Sequence, residues 1–263
     1  LRRSRQGVRL HLMRLKLLSC AVLYREMCAA AAVSPNVVDV EFLPQGLHNI
    51  GAGKMLERLQ FAVDATDGST YDAVALGYGL CNNGLAGLTA RDVPVVLPRA
   101  HDCITLLLGD RNRYLRHFND NPGTYYLTTG WMERCDNPEE LEQQSVRKQF
   151  GMGQEYDELV AKYGEDNAKY LYETLSNETR NYRQFTFIEM GVEPDDRCER
   201  ESRERAAERG WAHEKIPGDM SMVRRLVDGD WSGEEFLIVP PGHRVVARYD
   251  DGIVDIEPAG GTA

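Results

Sequence analysis

Four short apolar runs, each followed by a turn or a segment of helical spacing, constrain the fold of this chain more than any other feature. They are residues 15–20 (LKLLSC), 37–43 (VVDVEFL), 71–76 (YDAVAL) and 93–97 (VPVVL). Their length and β-branched content predict strands, the last ended by Pro98. Between the first two, residues 21–33 are alanine-rich and favour helix until Ser34-Pro35-Asn36 breaks it. Between the second and third, Met55, Leu56, Leu59, Ala62 and Val63 recur at helical spacing. Strands alternating with helices predict an α/β fold of open, mainly parallel sheets with helices on both faces.

The second half repeats the plan. Strands are expected at 123–129, 184–190, 213–216 and 236–239, and helices at 195–209 and 218–226. Residues 138–182 are charged and read as a helical insertion. The chain is therefore expected to divide into a basic leader (1–14), an α/β lobe (15–122), a second Rossmann-like lobe (123–249) and a loose tail (250–263). Its 263 residues suffice for two such lobes.

A formal net charge of −10 argues against a nucleic-acid-binding surface. Arg14 and Lys16 interrupt the apolar segment that a secretion signal needs, and no apolar run reaches the length of a membrane span. A cytoplasmic protein acting on a small molecule, away from membranes, is the expectation.

Six cysteines are scattered along the chain without a CxxC pair. They do not form a disulfide framework, so a metal site would have to be assembled from distant segments. In a parallel sheet every carboxyl end lies on one edge, and ligands bind there. Cys20 ends the first strand, Cys81 follows the third, and His101 and Cys103 follow the fourth. These four are the candidate metal ligands. Their donor types suit zinc, and iron or an iron–sulfur cluster takes similar ones. His101 and Cys103 are two apart, so an extended backbone would point both the same way. Asp102 could orient His101.

His48, beyond the second strand, is a candidate general base, and Arg99 a holder of an anionic substrate, with Arg91 as a second cation. Tyr24 and Glu26 lie close enough to Cys20 to line the same crevice. The Gly77-Tyr78-Gly79 turn could bring backbone close to a cofactor. It lacks the third glycine of a dinucleotide fingerprint and follows the wrong strand for one. Cys28 and Cys198 read as packing or incidental, and Cys135 as a lid ligand.

Several blocks carry a family resemblance: Val40-Glu41-Phe42-Leu43-Pro44 with Gly46-Leu47-His48, LGYGLCNNG (76–84), PRAHDCITLLLG (98–109), GTYYLTTGW (123–131) and GDW…FLIVPPG (229–242). Together they resemble an uncharacterised prokaryotic domain-of-unknown-function family, whose members are often encoded beside corrinoid-dependent methyltransferases of anaerobes. The resemblance implies a link to methyl transfer, with a corrinoid protein or methyltransferase as partner. His101-Asp102-Cys103 is also similar to the His-x-Cys pair with which cobamide-dependent thiol methyltransferases bind zinc, although here the remote cysteine precedes the pair. The chain lacks the D-x-H-x-x-G pattern of corrinoid-binding domains.

The expected function is a metal-dependent, zinc-using enzyme of one-carbon or small-molecule metabolism that activates a thiol or water. The alternatives are a non-catalytic accessory protein of a methyltransferase system, with the charged segments as partner surface, and a metal-free thiol enzyme using Cys103 with His101 as base.

Overall fold

The computed structural model describes residues 12–134 and 182–260, together with 139, 141, 160, 164 and 165. Most of the leader, Cys135 and nearly all of the 138–182 insertion lie outside the described residues.

All four apolar runs are strands: β1 (Arg14–Cys20), β2 (Val37–Leu43), β3 (Ala73–Gly77) and β4 (Val95–Pro98). They pair in the order β2-β1-β3-β4, all parallel. β3 and β4 are buried throughout, as continuous apolar runs require, and β1 buries Leu15 and residues 17–20. β2 is the half-exposed edge, where Asp39 and Glu41 pair with Arg14 and Lys16 of β1. A single 3-10 turn (Ala21–Leu23) leads into α1 (Tyr24–Val33). α2 (Ala52–Asp64) buries Met55, Leu59, Ala62 and Val63, four of the positions that set its spacing.

Beyond β4 come α3 (Cys103–Leu108) and α4 (Arg111–Asp120). A second sheet then follows: β5 (Thr124–Leu127), β6 (Gln184–Glu189) and β7 (Ala212–Pro217), parallel and in that order. α5 (Thr129–Glu133) follows β5, and α6 (Arg197–Arg209) packs on β6 and β7. The chain next recrosses the boundary expected at residue 122. α7 (Ser221–Asp228) packs on α1, β3 and β4, and β8 (Phe236–Val239) adds to the first sheet antiparallel to β4. Burial of Phe236, Leu237 and Val239 against an otherwise open strand edge accounts for the return. The first sheet is thus mixed, though mostly parallel.

The tail is more ordered than its composition suggests. β9 (His243–Ala247) and β10 (Val254–Pro258) form an antiparallel hairpin, with Val254 buried and Glu257 paired to Arg244. Short-range alternation and cross-strand charge stabilise it.

His117 of α4 ties the first half to the second sheet. Its Nδ1 meets the Tyr126 hydroxyl at 2.7 Å and its Nε2 meets Glu214 Oε2 at 3.0 Å. Tyr126, Thr186 and Glu214 lie side by side across the three strands, and Gln184 also donates to Glu214. Where the 3-10 turn before α1 meets α5 the contact is tight: a Cβ on Gly130 would strike the Val22 carbonyl oxygen. Beside it, Glu26 is buried, and its Oε2 has no hydrogen-bond partner among the described residues.

Two stability predictions follow from this packing. Leu17 is fully buried in β1, an interior strand, so Leu17→Ala should lower the unfolding free energy by about 2–5 kcal/mol in urea titrations. Burial pushes the Glu26 carboxyl from 4.5 up to about 7. Its folded pKa is raised, so its contribution is fully present below the unfolded value and is lost as pH rises through about 7. Stability should fall between about pH 5 and about pH 8 by as much as about 3 kcal/mol from this group, and Glu26→Gln should flatten that slope.

Candidate functional site

In the order β2-β1-β3-β4, the connection from β1 leads to one side and the connection from β2 returns to the other. Such a reversal opens a crevice outside the carboxyl ends of the two strands that flank it, here β1 and β3. Cys20 is the last residue of β1, and residues 78–84 follow β3. A cavity of about 430 Å³ lies at this edge. Leu80, Cys81, Asn82 and Asn83 line it from the loop after β3, and His101, Asp102, Cys103 and Ile104 from the segment after β4. His48 joins from the short 3-10 helix after β2 (Gln45–Asn49), and Trp131 from α5.

Backbone hydrogen bonds join the two central loops: Leu80 N–H donates to the Ala100 carbonyl at 2.8 Å and Cys81 N–H to His101 at 2.9 Å. Gly79 permits this approach, because a Cβ there would stand 2.7 Å from the Asp102 Cα. At Gly77 the room for a Cβ is taken by Ser19 and Met27 of the core, and Tyr78 is buried. The glycines expected to admit a cofactor thus serve contacts within the protein.

Cys81, Asn82 and Asn83 all have positive φ, at 47°, 56° and 64°. The turn closes with Gly84 N–H donating to the Cys81 carbonyl at 3.0 Å. Asparagine tolerates this region and cysteine does not, so the turn stores strain of about 1–2 kcal/mol at Cys81. Such strain clusters at ligand sites.

Asp102 is extended (φ −154°, ψ 178°) and caps α3, its Oδ1 accepting from Ile104 N–H at 3.0 Å. Its Oδ2 accepts from the Tyr114 hydroxyl of α4, also at 3.0 Å. The extended backbone presents both His101 and Cys103 to the cavity, with His101 exposed and Cys103 buried. Both carboxylate oxygens are thus engaged, one by the helix it caps and one by Tyr114.

Cys20 lies behind the cavity wall. Burial pushes its thiol up to about 11. Cys81 and Cys103 are driven higher still, first by burial, then by negative charge on neighbouring thiols and on Asp102. The buried Tyr78 hydroxyl has no hydrogen-bond partner among the described residues, and its pKa rises through burial and then through Cys20, Cys81 and Cys103. Three sulfurs and one phenol therefore share a single low-dielectric volume. Among the described residues no group of three or more His, Cys, Asp or Glu side chains is arranged to hold a metal ion as placed.

His48 is the better-held imidazole. Its Nδ1 lies 2.9 Å from the Gln45 carbonyl, which can only accept, so Nδ1 carries the hydrogen and Nε2 keeps a lone pair. Its ring stacks on Tyr78 at 6.5 Å, and burial lowers its pKa, favouring the neutral form.

Arg99 does not reach this cavity, which corrects the expected anion contact. Its Nη1 donates to the Gly252 carbonyl at 2.9 Å and to that of Val254, in the wall of a separate cavity of about 710 Å³. Arg91 is paired with Asp64 at the surface. Tyr24 packs on Phe42 with Arg134 over its ring, and neither it nor Glu26 lines the cavity. Cys28 and Cys198 are half-buried away from it. Asn82, Asn83, Tyr114 and Trp131 are the site residues that sequence reasoning missed. The Asn-Asn-Gly run was a legible turn signal, whereas the other two arrive through tertiary packing.

Fold and cavity together define an open-sheet α/β protein with a thiol- and histidine-lined cavity at the reversal of strand order. Residues 42–227 match the family described as protein of unknown function DUF1638, and the chain belongs to that family. No curated protein and no solved structure matches it. Among the described residues no helix is long and apolar enough to cross a membrane.

If Arg99 serves the hairpin and not a substrate, Arg99→Met should speed amide hydrogen exchange across residues 243–258. The thiol reactivities of Cys81 and Cys103 should stay at the wild-type level. Unchanged exchange would show that the contact carries no weight.

Proposed function

We propose that this protein is a metal-dependent enzyme of one-carbon or small-molecule metabolism, with zinc held by Cys20, Cys81 and Cys103 and completed by His101 or His48. The observation that supports this reading is the meeting of three buried thiols at the carboxyl ends of three neighbouring strands, behind and beside one cavity. The donor set fits a soft or borderline cation. Buried thiols with raised pKa values stay protonated unless a positive charge joins them, and a divalent ion supplies it. Side-chain rotations would be needed to close the donors on the ion.

When bound, zinc would supply Lewis acidity that lowers the pKa of a substrate thiol or a water. His48, neutral and fixed by Gln45, offers its Nε2 lone pair as the proton acceptor. The strained Cys81–Asn83 turn holds Cys81 in place. The cavity volume suits a small molecule. Iron or an iron–sulfur cluster remains compatible with the thiol donors, and the family resemblance in the sequence blocks favours a methyl-transfer setting.

The rival readings have less support. As an accessory protein the chain would offer a partner the 138–182 insertion, nearly all of it outside the described residues, and α6, whose charges pair among themselves, Arg203 with Glu199 and Arg205 with Glu201. A metal-free nucleophile at Cys103 needs a lowered pKa, and burial moves it the other way.

Metal analysis of anaerobically purified protein should find about one zinc per chain. Cys81→Ser and Cys103→Ser should each lose it. Wild-type protein without stoichiometric metal overturns the reading. In metal-free protein, alkylation of Cys103 should be slow at neutral pH and should accelerate as pH rises, because its thiol is held protonated. Rapid, selective alkylation at neutral pH would favour the metal-free enzyme instead.

A further inference from the structure

The charge of the cavity points to the chemical class of its ligand. Among the described residues its wall holds no lysine or arginine, since Arg99 is turned to the C-terminal hairpin and Arg91 to Asp64. Among the described residues the one acidic side chain on the wall is Asp102. Each of its oxygens accepts one hydrogen bond, from Ile104 N–H and from the Tyr114 hydroxyl. An ionised carboxylate accepts about four, and Thr105 N–H also bonds to it, so about one acceptor place is left for a ligand. Leu80, Ile104 and Trp131 supply apolar and aromatic wall. A bare inorganic cation needs no indole, and an organic anion would meet a carboxylate with no compensating charge.

We infer that the cavity binds a small organic cation of the alkylated ammonium type, its charge facing Asp102 and its alkyl groups against Trp131. Cation–π attraction and charge complementarity would act together in a partly desolvated space. The inference names the substrate class of the site proposed above and rests on that cavity being the ligand site. It does not rest on the metal. Three thiolates on a divalent ion would carry net negative charge, so loading the site leaves the preference for a cation unchanged in sign.

The test is calorimetric titration of the full chain, metal-free and zinc-loaded, with tetramethylammonium, its uncharged counterpart tert-butanol, and pivalate as the anion. Tetramethylammonium should bind about tenfold more tightly than tert-butanol, and pivalate should not bind measurably. Asp102→Asn keeps a side chain able to cap α3 and should shrink the difference between cation and neutral probe to about threefold or less. Trp131→Leu, which leaves the Asp102 cap in place, gives a second reading if that variant fails to fold, and should weaken the cation more than the alcohol. Pivalate binding as tightly as tetramethylammonium, no binding of any probe, or a preference untouched by both variants overturns the inference. A cation preference in protein that takes up no zinc leaves the inference standing and overturns the metal reading alone.

Discussion

The parallel pairing of β1 with β3 is the contact on which the rest of the molecule depends. Residues 15–19 lie in register with 73–77, and Ser19 fills the room left by Gly77. That register places the end of β1 beside the end of β3, so Cys20 and the loop carrying Cys81 start from adjacent points. A slip of one residue would turn every buried leucine of β1 to the opposite face. Leu15 and Leu17 face one side and Leu18 the other, both sides buried, so the close fit of Ser19 against Gly77 sets the register and with it the position of the site.

From this base the cavity is built by backbone more than by side chains. Gly79 lets two loops touch, two amide hydrogen bonds join them, and the strain of the left-handed turn is carried by that junction. The side chains left facing inward are those that burial penalises when charged. Neutral thiols and a neutral imidazole lie on or just behind the cavity wall, beside a buried phenol with no hydrogen-bond partner among the described residues, which is unusual where buried polar groups are generally satisfied.

Much of this was legible in the sequence. The strands could be read because fully buried parallel strands are continuous apolar runs, and the shared edge of Cys20, Cys81, His101 and Cys103 followed from the rule that parallel strands end together. Other features depend on long-range packing and leave no local trace. Arg99 follows a strand end just as His101 does, yet the hairpin carbonyls of Gly252 and Val254 draw it elsewhere. FLIV reads equally well as a strand of either sheet, and only the open edge of β4 decides. Trp131 follows the second sheet in sequence and still reaches the first sheet's cavity. The alternation of Val254 and Ile256 with acidic residues was a strand signal masked by the acidity of the segment.

The return of β8 to β4 also bears on how the chain acquires its structure. β1 to β4 come from one continuous stretch, and their contacts are mostly short in sequence separation. β8 can pair only after the whole second sheet has been made, which sets a large loop-closure cost against that last strand. Until then β4 presents a bare, apolar edge to its surroundings, the kind of surface through which folding intermediates associate. During synthesis the described wall of the cavity, which runs as far as Trp131, would thus precede the strand that seals its sheet.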